Sequence, residues 1–178
     1  MNDINDREIT LSECKSEIDN YLRLLHQHLQ TGVVDKFIIK QFMRTHACIY
    51  NLSDREADMS QRLYEYYQSI LKRFLEQNVL PKLELKVTDS NQFLMEVVHQ
   101  WRQYSIFTYS NTKIFEYLDR GYIKHQSQVV LSDLALHIYK RNIFEGKKAQ
   151  LRAAILDQIQ KDRNDELVDK ELIKRAVQ

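Results

Sequence analysis

Apolar side chains recur every three to four positions along most of this sequence, the spacing that places them on one face of an α-helix. The first run starts at a capping-box pattern, Thr10 with Glu13, and stops at Gly32, which predicts a helix over about residues 11 to 30. The same spacing predicts further helices over about 36 to 52, 59 to 79 (with Pro81 as its end or a bend), 91 to 105, 105 to 121, 127 to 145, 151 to 159 and from 170 onward.

Composition agrees with a helical fold. The 178 residues include three Gly and one Pro, too few for a β-rich chain with many tight turns, and no segment keeps strand-like alternation. Hydrophobic residues make up 43% and charged residues 29%, which is typical of a globular protein. We therefore predict an all-α protein.

Charge and cysteine content bear on partners and compartment. With 26 basic and 25 acidic residues the formal net charge is +1, so we expect a protein partner, with no nucleic acid and no membrane. Cys14 and Cys48 form no CxxC motif, which suggests a reducing compartment and two ordinary half-buried thiols. The sequence begins without an apolar signal-peptide run, so we expect a cytoplasmic and nuclear location.

A search for chemistry finds little. His26 and His28 lie two residues apart, and on a helix such positions point in different directions, so they predict no metal site. There is no HExxH, GxSxG or glycine-rich phosphate loop, and Asp162 and Asp165 belong to a charged turn. We predict no catalytic residues, no cofactor and no enzyme activity.

The second predicted helix contains QFMRTHACIYNL and has two apolar faces where a surface helix needs one. One face carries Phe42, Met43, His46 and Tyr50, joined by Ile39, and the other carries Ile38, Thr45, Cys48 and Leu52. Either neighbouring helices bury both faces, or one face meets a partner.

Two motifs carry a family resemblance. Tyr117 to Arg120 read YLDR and are followed by the aromatic Tyr122. The second motif consists of Asp162-Arg163, Val168-Asp169 and Leu172-Ile173. In this order and spacing, the sequence resembles the N-terminal region of a cullin, the elongated scaffold of modular ubiquitin ligases.

The resemblance implies a fold and a division of the chain. Residues 1–125 would form a first cullin-type repeat, a five-helix bundle, and residues 126–178 would begin an incomplete second helical repeat. The family's C-terminal half, which recruits the RING subunit, has no counterpart among these residues. The segment alone would therefore be a non-catalytic scaffold.

The resemblance also implies a binding site. In cullins the second and fifth helices of the first repeat bind the substrate adaptor, and the positions that match here are Phe42, Met43, His46, Tyr50 and Tyr122. The patterns FM, IYN, MSQRLYEYYQSIL and NVLP are most similar to the branch that uses Skp-type adaptors with F-box receptors. The BTB-binding branch usually has Glu where Met43 stands.

The sequence departs from the family at three positions. His46 stands where Tyr is common, Gly121 replaces a bulkier residue, and Asp165 replaces a Gly whose left-handed conformation Asp can also adopt. Two alternatives use the same exposed face: a helical self-association module, and a truncated cullin-like protein that sequesters adaptors.

Overall fold

The computed structural model describes residues 9–33, 36–54 and 57–177. Within these ranges the regular structure is helical throughout, with 86% of the protein in helices, as the sequence predicts. The α-helices are α1 (Leu11–Thr31), α2 (Lys36–Ser53), α3 (Ala57–Phe74), α4 (Leu80–Glu84), α5 (Ser90–Leu118), α6 (Lys124–Gln126), α7 (Leu131–Tyr139), α8 (Lys148–Arg163) and α9 (Lys170–Val177). The π-helical turns Leu75–Val79, Asp119–Ile123 and Lys140–Phe144 follow α3, α5 and α7.

The ends of α1 follow from local chemistry. The backbone N–H of Glu13 donates to the Thr10 hydroxyl at 3.2 Å, and the Thr10 N–H donates back to the Glu13 carboxylate at 2.9 Å. This reciprocal pair is the predicted capping box. At the other end Gly32 takes a left-handed φ of 69° and its N–H donates to the His28 carbonyl.

The third predicted helix is longer than expected. The π-helical turn Leu75–Val79 leads directly into α4, so the chain stays helical to Glu84. Pro81 lies at the start of α4, directly after this π-helical turn. The prediction that the helix ends at residue 79 was therefore wrong, and the alternative that Pro81 marks a bend stays a prediction.

The fourth and fifth predicted helices are one helix, α5. The predicted boundary at Ser105 is wrong because the serine hydroxyl donates to the Trp101 carbonyl at 2.8 Å and is satisfied within the helix. Neither Gly nor Pro occurs between residues 90 and 118 to interrupt the backbone. The helix that was predicted to end at Gly121 is therefore the C-terminal part of α5.

The inward side of α5 also differs from prediction at one residue. The helical spacing of Leu94, Val97, Val98 and Trp101 predicts that all four face inward. Trp101 is instead 41% exposed, whereas Gln100 is 1% exposed. The Gln100 side-chain amide donates to the Glu96 carboxylate at 2.6 Å, which satisfies one polar group that burial would otherwise penalise.

The chain forms two compact units. The first comprises Met1–Tyr67 with Tyr109–Ser132. At its centre the Tyr67 hydroxyl donates to the Leu131 carbonyl at 3.2 Å and lies 3.0 Å from the Thr112 hydroxyl, while the Tyr67 ring meets Phe115 edge-on at 5.2 Å. Burial raises the pKa of Tyr67 above its ordinary value.

The second unit comprises Gln68–Thr108 with Asp133–Gln178. Phe74 and Phe107 stack at 3.9 Å, and the Tyr104 hydroxyl donates to the Ala135 carbonyl at 2.8 Å. Both units combine segments that are distant in the chain. A compact unit built from distant segments is not the same as a sequence repeat. The predicted repeat boundary between residues 125 and 126 therefore stays a prediction.

Two local expectations can be compared with the structure. Asp165 has a φ of 59°, which confirms that it adopts the left-handed conformation. Cys14 and Cys48 are fully buried, at 0% and 3% exposure, so the expectation of half-buried thiols was wrong. A hydrogen bond with Cys48, together with burial, raises the pKa of the Cys14 thiol above its ordinary value.

Candidate protein-binding surface

The outward side of α2 leaves several large apolar side chains uncovered. Met43 is 64% exposed, Ile39 67% and Tyr50 43%, with Phe42 and His46 half-buried beside them. Single exposed apolar residues are normal on soluble proteins, whereas a row of them along one helix indicates an interaction surface. We call these five residues the α2 row.

The opposite side of α2 packs on α1 and fixes the rotation of the helix. Its buried residues are Thr45, Cys48, Ile49 and Leu52. The Thr45 hydroxyl donates to the Glu17 carbonyl at 3.2 Å, and the Gln41 amide donates to the same carbonyl at 3.1 Å and to the Glu17 carboxylate at 2.6 Å. Of the two apolar faces of α2, one is therefore buried and one is exposed.

Phe42 of the α2 row contacts two other rings. Its ring meets the buried Tyr21 of α1 edge-on at a centroid distance of 6.0 Å and stacks with His46 at 6.1 Å. Such aromatic pairs contribute about 0.5–1.5 kcal/mol beyond the area they bury. Phe42 therefore supports the neighbouring row residues as well as presenting part of its own ring.

Tyr50 is held by a second tyrosine. The ring of Tyr117, near the end of α5, meets the Tyr50 ring edge-on at 4.6 Å. The Tyr117 hydroxyl donates to the Asp54 carboxylate at 3.2 Å, and this hydrogen bond raises the pKa of Tyr117 above its ordinary value. The C-terminal end of α5 thus restricts the ring of Tyr50.

His46 connects the middle of α2 to α5. Its Nε2 atom lies 4.0 Å from the Glu116 carboxylate, which also lies 3.6 Å from Lys113 and 3.4 Å from Arg120. These groups are partly exposed, so each pair contributes little to stability. Glu116 lies within ion-pair distance of all three side chains, so it connects His46 on α2 to Lys113 and Arg120.

Tyr122 packs against α3. It is half-buried in the π-helical turn Asp119–Ile123, and its ring lies 5.9 Å from that of Tyr64 on α3. The Tyr64 hydroxyl in turn donates to the Val129 carbonyl at 2.9 Å. The α5 residue whose ring touches the row is Tyr117, which the YLDR motif contains but sequence reasoning did not single out.

Residues 21–178 match the cullin alpha solenoid domain family. The chain belongs to the cullin family. It is 27% identical over 145 residues to Cullin-1 of Oryza sativa subsp. japonica, a match that covers 80% of this chain and 19% of that protein. It is 24% identical over 173 residues to putative cullin-like protein 2 of Arabidopsis thaliana, covering 96% of this chain and 46% of the relative.

A third relative, Cullin-3 of Dictyostelium discoideum, is 30% identical over 89 residues, which are 49% of this chain and 12% of that protein. The chain therefore spans less than half the length of each of these cullin relatives.

The described residues contain no group of three His, Cys, Asp or Glu side chains placed to hold a metal ion. In the same part of the chain, no helix has the length and apolar character needed to cross a membrane.

Proposed function

We propose that this chain is a scaffold segment of a cullin-RING ubiquitin ligase that binds a Skp-type substrate adaptor through α2 and the C-terminal end of α5. The observation that carries the proposal is the α2 row, which a chain of the cullin family leaves uncovered. The role is non-catalytic, because the scaffold holds an adaptor in place while other subunits transfer ubiquitin.

The binding energy would come from a few large side chains. Full burial of a Met or aromatic side chain contributes on the order of 1.5–3 kcal/mol before the entropic costs of association. Of the four adaptor-binding positions predicted on α2, Met43 and Tyr50 have the most surface left to bury, while Phe42 and His46 are already half-covered. Tyr122 would contribute at the edge. We therefore expect Met43 and Tyr50 to dominate the affinity.

The choice of a Skp-type adaptor over a BTB-type adaptor rests on Met43. An uncharged side chain at the centre of the exposed face suits an apolar pocket, whereas a carboxylate there would require a polar partner. The FM and IYN patterns of α2 support the same choice.

Calorimetric titration of the 178-residue chain with purified Skp-type and BTB-type adaptors tests the proposal. We expect a clear preference for the Skp-type protein and a loss of about 100-fold in affinity for Met43→Ala with Tyr50→Ala, since two central contacts are removed. A matched control is Phe144→Ala with Leu156→Ala, which truncates two side chains of similar exposure, 49% and 53%, in the second unit.

Circular dichroism should show the same helicity for both double variants. Unchanged adaptor binding by the Met43 and Tyr50 variant would contradict the site assignment. If light scattering instead shows a stable dimer that this variant dissociates, self-association is the better reading of the α2 row. Competition with a full-length cullin for the same adaptor tests the remaining alternative, in which the chain sequesters adaptors.

A further inference from the structure

The charges of α2 are all of one sign. Between Lys36 and Ser53 the helix contains three basic residues, Lys36, Lys40 and Arg44, and no Asp or Glu. All three are exposed, and among the residues that the structure describes none of them forms an ion pair with a carboxylate. In a chain whose formal net charge is +1, this concentration of cations on one helix is a local feature.

The three cations form a line beside the α2 row. They are spaced four residues apart, so they follow one side of the helix over about 12 Å. Met43 lies about 60° around the helix axis from Lys40, because three residues at 3.6 per turn fall short of a full turn. The outward surface of α2 is thus divided lengthwise into an apolar row and a cationic row.

Three acidic groups close to α2 already have partners. The Glu116 carboxylate lies within ion-pair distance of His46, Lys113 and Arg120. The Asp54 carboxylate, just after α2, accepts the hydrogen bond of Tyr117. On the inner side, the Glu17 carboxylate accepts from the Gln41 amide. Among the described residues, none of these three carboxylates forms an ion pair with Lys36, Lys40 or Arg44.

We infer that the partner of the α2 surface carries a group of carboxylates beside its apolar contact site, and that these meet Lys36, Lys40 and Arg44. The inference rests on the proposed function and adds the chemistry of the partner's face. A protein is the favoured occupant because the cations adjoin an apolar row instead of forming a broad basic surface. Nucleic acid is recognised mainly through phosphate contacts and would leave Met43 and Ile39 uncovered.

Exposed charges of this kind act mainly on the rate of association. They attract a partner of opposite charge before contact is made. Salt screens this attraction, and at 0.1 M ionic strength the screening length is about 10 Å. Apolar contacts form after the encounter and act mainly on dissociation. The two rows should therefore have separable kinetic effects.

Stopped-flow or surface-plasmon kinetics with a purified Skp-type adaptor would test the inference. The variant Lys36→Glu, Lys40→Glu, Arg44→Glu should lower the association rate constant about tenfold at low salt, with a dissociation rate constant within about threefold of the parent. The difference in association rate constant between the variant and the parent should shrink as salt is raised to about 0.5 M, where charges are strongly screened.

The second unit offers a matched control. Lys140→Glu, Arg141→Glu, Lys148→Glu replaces the same residue types, all exposed, and changes the net charge equally. This control should associate like the parent chain. An equal slowing of both variants would reduce the effect to net charge and overturn the inference.

The inference would also be overturned if the association rate constant changed neither with the α2 charge substitutions nor with salt. The proposed adaptor binding would not be contradicted by that result. Absence of adaptor binding by the parent chain would instead contradict the proposed function. If the α2 charge variant binds the adaptor normally but loses binding to single-stranded RNA, the cations belong to a nucleic-acid site and the inference is wrong.

Discussion

The rings of Tyr50 and Tyr117 meet edge-on at 4.6 Å, so a residue near the end of α5 supports an exposed residue of α2. Without this contact Tyr50 would sample more rotamers and would lose more entropy when a partner covers it. Tyr117 is therefore a positioning residue in the proposed surface.

The first prediction concerns this pair. Tyr117→Ala should weaken adaptor binding about fivefold, which corresponds to the roughly 1 kcal/mol of an aromatic pair. Tyr117→Phe keeps the ring and should stay within about twofold of the parent. Calorimetry measures both, and the Tyr50→Ala background serves as the control, because in that background Tyr117→Ala should have no further effect. A full fivefold loss there would mean that Tyr117 acts independently of Tyr50.

A second prediction compares two buried tyrosines of the second unit. The Tyr139 hydroxyl is buried without a hydrogen-bond partner among the described residues, whereas the Tyr104 hydroxyl donates to Ala135. Tyr139→Phe should raise the free energy of unfolding by about 1 kcal/mol, since it removes an unsatisfied polar group. Tyr104→Phe should lower it by about the same amount. Urea denaturation measures both, and equal effects of the two variants would contradict this assignment.

A third prediction concerns stability at alkaline pH. Burial raises the pKa of Tyr21, Tyr67 and Tyr139, and a hydrogen bond with burial raises that of Cys14. The unfolded chain releases these protons above the ordinary values of 9.0 for Cys14 and 10.0 for the tyrosines, while the folded chain keeps them. The free energy of unfolding should therefore fall as pH rises above 9, by up to about 1.4 kcal/mol per pH unit for each group.

Urea denaturation from pH 8 to 11 measures this dependence. Tyr139→Phe removes one of the four groups and should make the decline above pH 10 shallower. A stability that stays constant between pH 8 and 11 would show that these groups titrate alike in the folded and unfolded chain.

The fourth prediction concerns Asp165, whose φ of 59° lies in the left-handed region. A side chain is strained there and glycine is not, so Asp165→Gly should raise the free energy of unfolding by about 0.5 kcal/mol after allowing for the greater freedom of the unfolded chain. The neighbouring Asn164 has a φ of −89°, and Asn164→Gly should bring no gain. Thermal unfolding compares the two, and equal shifts would rule out backbone strain as the cause.

Local signals predicted much of the fold. The capping box at Thr10 and Glu13 and the glycine at position 32 fixed α1 to within one residue, because these groups satisfy helix ends directly. The helix boundary predicted at Ser105 was wrong because a serine hydroxyl can either cap a helix end or donate to a carbonyl within its own helix, as it does here. The sequence alone does not distinguish these two roles. Trp101 was predicted to face inward because it continues the helical spacing of Leu94 and Val97, whereas packing against neighbouring elements decides how the helix is rotated.

The candidate surface was only partly accessible to sequence reasoning. Helical spacing separated Phe42, Met43 and Tyr50 from the face that contains Thr45, but it could not tell which face α1 would cover. The contact between Tyr50 and Tyr117 joins residues 67 positions apart in the chain. No local pattern encodes such a pair, so only tertiary packing could reveal it.

The π-helical turn Asp119–Ile123 has a consequence for how this surface could change. Such a turn accommodates one more residue than an α-helical turn, so it acts as an insertion that the helix has absorbed. Deleting that extra residue would restore an α-helical turn and leave the side chains that follow in their present direction, while Tyr122, which lies within the turn, would shift relative to Tyr64. A one-residue deletion here is thus a route by which related chains could alter the side chains of one turn without disturbing the helix on either side of it.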